Sequence, residues 1–147
     1  MAEKISKAIY GSPDRPLKIA GLEIPAYVLE DGKRVLVQGG MIGALGIARG
    51  SRAGRGGDRI ANLTGGKRLK PFISKEIYDA TQNPIKFRLP NGNQAYAYEA
   101  TILPDICDAI LEAREKKALQ PQQLHLAKRC EILIRGLAVV GIIALVD

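Results

Sequence analysis

Hydrophobic and polar positions alternate most clearly early in the second half of the chain. Ile85, Phe87 and Leu89 alternate with Lys86 and Arg88, the period-two pattern of a half-buried strand. Pro90-Asn91-Gly92-Asn93 supplies a turn. Gln94 to Glu99 returns with Tyr96 and Tyr98 on one face and Ala95 and Ala97 on the other. The stretch Leu17 to Gln38 also predicts β structure, with Ile19, Ile24, Tyr27, Val28, Val35, Leu36 and Val37 as strand formers. Asp31-Gly32 is a two-residue hairpin signal, because both residue types tolerate positive φ. Pro25 lacks a ladder donor and predicts an edge or a bulge.

Elsewhere the apolar spacing is three to four. Met41, Ile42 and Leu45 share a face, and Gly46 predicts the stop of a short helix. Ser74 is a candidate N-cap for a helix with Ile77 and Ala80 inward and Glu76 in its first turn, ended by Asn83-Pro84. Thr101 predicts the cap of a helix from about Leu103 to Leu119, with Ile106, Ala109, Ile110 and Ala113 as its stripe. Pro121 opens a last helix. Its seam, Leu126, Cys130, Leu133, Leu137 and Val140, steps by four, three, four and three. That seam reads either as an oligomer interface or as core packing against the preceding helix.

These patterns predict an α+β fold: two β-hairpins forming a small sheet, packed by three to four helices, with a C-terminal helical hairpin. Residues 1–15 read as a flexible tail and 16–147 as one domain, a size that suits 147 residues. The hairpin turns Asp31-Gly32 and Asn91-Gly92 lie sixty positions apart, and Ile42 matches Ile102 in that register. The chain therefore reads as two hairpin–helix units.

Positive charge is concentrated at residues 49–70. This Gly-rich segment carries Arg49, Arg52, Arg55, Arg59, Lys67, Arg68 and Lys70 against Asp58 alone. Seven cations less one anion is a surplus of six, in a chain of net charge +7. It reads as a mobile basic loop: an electrostatic contact for a polyanion, with nucleic acid first, or a solvated loop that happens to be basic. Lys86 and Arg88 form a second small basic patch, or are ordinary solvent-facing residues.

No catalytic constellation stands out. His125 is the only histidine, and no C-x-x-C, H-E-x-x-H or G-x-S-x-G occurs. Gly65-Gly66-Lys67-Arg68 lacks the Ser or Thr and the spacing of a phosphate loop. No cofactor or metal site is expected, and no enzyme activity. Cys107 and Cys130 fall on apolar stripes and read as reduced core thiols of a cytoplasmic protein without a signal peptide. The longest apolar run, Leu137 to Val146, is well short of the ~20 residues needed to span a bilayer, so no membrane contact is expected.

Several segments taken together carry a family resemblance: PLKIAGLEIPAYVLEDGKRVLVQ, a following ALG, KPFIS, NPIKFRLPNGNQAYAYEATILPDICDAILEARE, Cys130 to Ala138, and the closing VGIIALVD. Together they resemble the phage P-sixty-three-C domain family of temperate phages and prophages, which groups with antirepressor-like proteins. The resemblance runs from Pro16 to Asp147. It implies a chain that corresponds to an N-terminal domain of a longer protein, and a regulatory DNA- or protein-binding role in the bacterial host; the basic segment makes non-enzymatic DNA binding the leading expectation. The nucleic-acid contacts would be Arg49, Arg52, Arg55, Arg59, Lys67, Arg68, Lys70, Lys86 and Arg88. The alternatives are a homodimerising or protein-docking domain acting on a repressor or host protein, and an accessory domain of a nucleic-acid-processing protein.

Overall fold

Two hairpins meet edge to edge at the centre of the fold. They are seen in a computed structural model that describes residues 5–11, 16–47 and 56–146. β4 (Ala26–Leu29) and β5 (Arg34–Val37) are joined by a three-residue loop, Glu30-Asp31-Gly32, rather than the two-residue turn expected: the Leu29 N–H donates to Lys33 O at 2.9 Å, Gly32 but not Asp31 takes positive φ, at +89°, and the Lys33 N–H donates to Asp31 Oδ1 at 3.0 Å. β6 (Ile85–Arg88) and β7 (Gln94–Glu99) repeat the device: Gly92 has φ +91° and the Asn93 N–H donates to Asn91 Oδ1 at 2.9 Å. The returning strands β5 and β7 pair antiparallel, with Val37 opposite Ala97. Those two residues are sixty positions apart, the same offset that relates the turns, so an approximate two-fold passes through their pair.

The hairpin sheet is larger than expected. β1 (Ser6–Gly11) pairs antiparallel with β4 and parallel with β6, closing a barrel in the order β1-β4-β5-β7-β6. The pattern of residues 1–15 predicts a flexible tail; the strand Ser6–Gly11 corrects that for these six residues. Their strand character comes from partners some twenty and eighty residues away, which local pattern does not report. Gly11 is required there: with φ +138°, a Cβ would lie 2.1 Å from the Ala26 carbonyl oxygen. A small ribbon, β2 (Leu17–Ile19) and β3 (Leu22–Ile24), stands outside the barrel and places Ile19 and Ile24 in the main core.

Among the described residues, five α-helices surround one side of the barrel: α1 (Gln38–Leu45), α2 (Gly56–Gly65), α3 (Lys75–Gln82), α4 (Ile102–Glu115) and α5 (Leu124–Val146). α2 stands where the glycines of 49–70 predict a loop, and corrects that expectation over Gly56–Gly65. Its glycines lie at or near its ends, and Ile60 and Thr64 between them are wholly buried. Burial of one isoleucine contributes about 1.5–3 kcal/mol. α2 holds three glycines, but they are its first two residues and its last, where the interior cost of about 1 kcal/mol each is not fully incurred. α1 and α3 form as expected, with Gly46 at φ +72° closing α1 and Ser74 Oγ accepting from the Ile77 N–H at 3.2 Å. Thr101 precedes α4 without a side-chain cap bond, and α4 ends at Glu115, four residues short of the expected end; Lys117 follows at φ +58°.

The described residues form two cores. Leu29, Val35, Phe87 and Ala97 fill the barrel, where the Tyr27 and Phe87 rings pack 5.4 Å apart. The main core lies between the helices and the outer side of β5 and β7, at Leu36 and Tyr98. Leu126, Cys130 and Leu133 of the α5 seam are buried in it with Ile106, Cys107 and Ile110 of α4. As an oligomer interface these three positions are corrected: α4 and its surroundings already cover them. Leu137 is half-buried and Val140 exposed.

Candidate nucleic-acid interface

The cations of the basic segment fall into three groups. Arg49, Arg52 and Arg55 lie outside the described residues. Arg59 is half-buried on α2 and engaged within the chain. Lys67, Arg68 and Lys70 are exposed and make no ion pair among the described residues. The ion pairs described, Lys18 with Glu23 and Arg114 with Glu131, lie elsewhere.

The three exposed cations stand on a fixed turn rather than a pliable tether. Leu69, between them, is 1% exposed and anchors the turn in the main core. The N–H groups of Leu69 and Lys70 both donate to the Gly66 carbonyl, at 3.2 and 2.9 Å, and the Phe72 N–H donates to Leu69 O at 2.8 Å. A 3-10 turn, Lys70–Phe72, follows. The helices on either side are joined by buried hydroxyls, Thr64 Oγ1 and Thr81 Oγ1 at 2.7 Å. Each hydroxyl has one proton. Thr81 lies 2.8 Å from Ile77 O and Thr64 3.2 Å from Ile60 O, so the better arrangement has Thr81 donating to Ile77 O and Thr64 donating to Thr81. Gln82 Nε2 adds a bond to Ala61 O at 2.9 Å. The backbone that carries these cations is ordered before binding, so only their side chains lose freedom when they meet a phosphate, which favours binding.

Lys86 and Arg88 lie on a different element, the outer side of β6. Lys86 is exposed, its Nζ 5.9 Å from the centre of the Tyr96 ring. Arg88 is half-buried and donates to Gly92 O at 2.9 Å, so part of its guanidinium supports the hairpin turn. Sequence reasoning did not single out Lys7 or Tyr96 as surface contacts. Tyr96 is 45% exposed although Tyr98, two residues on, is buried. The hairpin register about Asn91-Gly92, which sets Tyr96 opposite Lys86, was the available signal.

The remaining polar chemistry is structural. Arg129 donates to Ala44 O at 3.0 Å and Gly43 O at 3.2 Å, and His125 Nε2 lies 3.1 Å from Gly46 O, so α5 closes the carboxyl end of α1. Cys107 and Cys130 are buried free thiols; a hydrogen bond with Cys130 and burial hold the Cys107 thiol far above its ordinary range, so it carries no thiolate at neutral pH. Among the described residues no three His, Cys, Asp or Glu side chains gather as metal ligands, and no helix is long and apolar enough to cross a membrane. The chain matches no family model, no curated protein and no solved structure.

Proposed function

We propose that this chain is a non-enzymatic regulatory module of phage or prophage origin, antirepressor-like, that binds DNA in the cytoplasm of a bacterial host. The observation that supports the reading most is the turn at Lys67, Arg68 and Lys70: three exposed cations around one buried leucine, without carboxylate partners among the described residues. Surface cations left without counter-charges on a rigid element suit phosphate contacts, which fix position and carry no sequence information by themselves. The sequence resemblance to a phage family supplies the biological setting. Changing Lys67, Arg68 and Lys70 together to Ala should weaken duplex binding in a gel-shift titration; binding unchanged in that variant would count against the reading.

A second reading rests on the far end of α5. Val139, Ile142, Leu145 and Val146 are 57%, 62%, 88% and 81% exposed, an apolar helix end that suits contact with another protein or a second copy. Light scattering over a range of concentrations separates the two readings. A monomer that binds DNA supports the first, and a stable dimer indifferent to DNA supports the second.

A further inference from the structure

The helices cover only part of the barrel's outer surface, and the part they leave open is basic and aromatic. On β7, Ala95 and Ala97 point into the barrel, so Gln94, Tyr96 and Tyr98 point outward. Tyr98 is buried under the helices, whereas Tyr96 and Gln94 are exposed. On β6, Phe87 fills the barrel and Lys86 and Arg88 face outward. On β1, Ala8 packs inward and the flanking Lys7 and Ile9 are exposed, Ile9 at 66%.

The register gathers these positions. Lys86 stands opposite Tyr96, Arg88 opposite Gln94, and Lys7 beside Arg88. Neighbouring strands lie about 4.8 Å apart and same-face residues about 7 Å apart along a strand. Three cations and an exposed aromatic ring thus share one patch of three strands. Its outward positions carry no acid among the described residues. Glu30 borders it, with Oε1 accepting from the Lys7 N–H at 3.2 Å.

We infer that this face is a platform for single-stranded nucleic acid, with a base stacked on Tyr96 and phosphates held by Lys7, Lys86 and Arg88. Resting on the nucleic-acid reading above, the inference adds a second surface and a preference for unpaired bases. Aromatic rings set among cations on an exposed sheet face are how proteins take up single strands, whose bases present open π-faces. A duplex keeps its bases stacked on each other and has no such face to offer, so charge complementarity alone does not account for Tyr96. Lys86 at 5.9 Å is at the far limit of a cation–π contact, which a stacking base can displace. Arg88 keeps further N–H donors free of its bond to Gly92 O.

The test is fluorescence anisotropy with a labelled oligothymidylate, an oligouridylate and a duplex. It compares the wild-type chain, Tyr96→Ala, Tyr96→Phe and the triple Lys67→Ala, Arg68→Ala, Lys70→Ala variant. Tyr96→Ala should lose about five- to a hundredfold in single-strand affinity. Tyr96→Phe should keep it, and duplex affinity should not follow Tyr96. The thymidylate and uridylate arms tell DNA from RNA. Single-strand affinity unchanged in Tyr96→Ala, lost equally in Tyr96→Phe, or absent in the wild type overturns the platform. Duplex binding that falls only in the triple variant leaves the function proposed above standing in those cases. Tyr96-dependent single-strand binding without duplex binding removes that function and keeps the platform.

Discussion

Gln38 Nε2 donates to Tyr98 Oη at 2.8 Å, a buried bond between residues sixty positions apart. The same offset separates Val37 from Ala97, which face each other across β5 and β7, and Asp31 from Asn91 in the two turns. The bond therefore joins equivalent positions of the two hairpin–helix units, next to the axis that relates them. Tyr98→Phe would leave the Gln38 amide without its partner and should cost about 1–3 kcal/mol in urea unfolding. A double-mutant cycle with Gln38→Leu should show coupling between the two positions, since they are in direct contact.

The same pair predicts a response to alkali. Burial raises the Tyr98 phenol above its ordinary value of 10.0, and the Gln38 bond offsets part of that rise. The unfolded chain therefore ionises this phenol first. Its contribution is fully present below pH 10 and is lost as pH rises from there through the higher folded value. Tyr98→Phe should unfold with a shallower loss of stability above pH 10 than the wild type, measured by denaturant midpoints across that range; equal slopes would contradict it.

The α2–α3 bridge should matter for the basic turn it supports. Thr64→Val removes one member of a buried hydroxyl pair and should cost about 1 kcal/mol. Amide hydrogen exchange should quicken over Gly56–Gly65 more than in α4, because the change loosens α2 locally. Uniform exchange changes across the chain would argue that α2 is not a separable unit.

Much of this was legible beforehand, for reasons that can be stated residue by residue. Asp31-Gly32 and Asn91-Gly92 announced both hairpins, though each loop has three residues and only its glycine takes positive φ, and Gly46 and Ser74 marked helix ends by local chemistry. The strand at Ser6–Gly11 was not legible, because its pairing is long-range and its six residues lack a clear alternation. The ribbon turn was hidden by Ala20, which takes φ +51° where glycine or asparagine is the usual signal. α2 was masked by glycines that read as loop while Ile60 provided the burial. Of the candidate site, the cations were visible as charge. Whether Tyr96 or Tyr98 would be exposed depends on how far the helices extend over β7, which alternation within one strand does not encode.

The carboxyl end of α1 depends on Arg129. Losing its two bonds to Ala44 O and Gly43 O should cost about 1–2 kcal/mol in Arg129→Ala, at a partly exposed site. Gly46→Ala should also destabilise, since φ +72° disfavours a side chain and the new Cβ would lie 3.1 Å from Arg129 Cγ. Thermal unfolding measures both.

The two halves of α5 should respond oppositely. Leu133 is wholly buried, and Leu133→Ala should cost about 2–5 kcal/mol. Ile142→Glu, at a position 62% exposed, should change stability by no more than about 0.5 kcal/mol. A large loss in Ile142→Glu that grows with protein concentration would instead point to a second copy covering that end.

Salt dependence of duplex DNA binding tests the central reading most directly. The logarithm of affinity should fall linearly with the logarithm of salt concentration, and changing Lys67, Arg68 and Lys70 to Ala should flatten that slope by about 2 to 3. A slope unchanged by the three substitutions, or no measurable duplex binding at low salt, would contradict it.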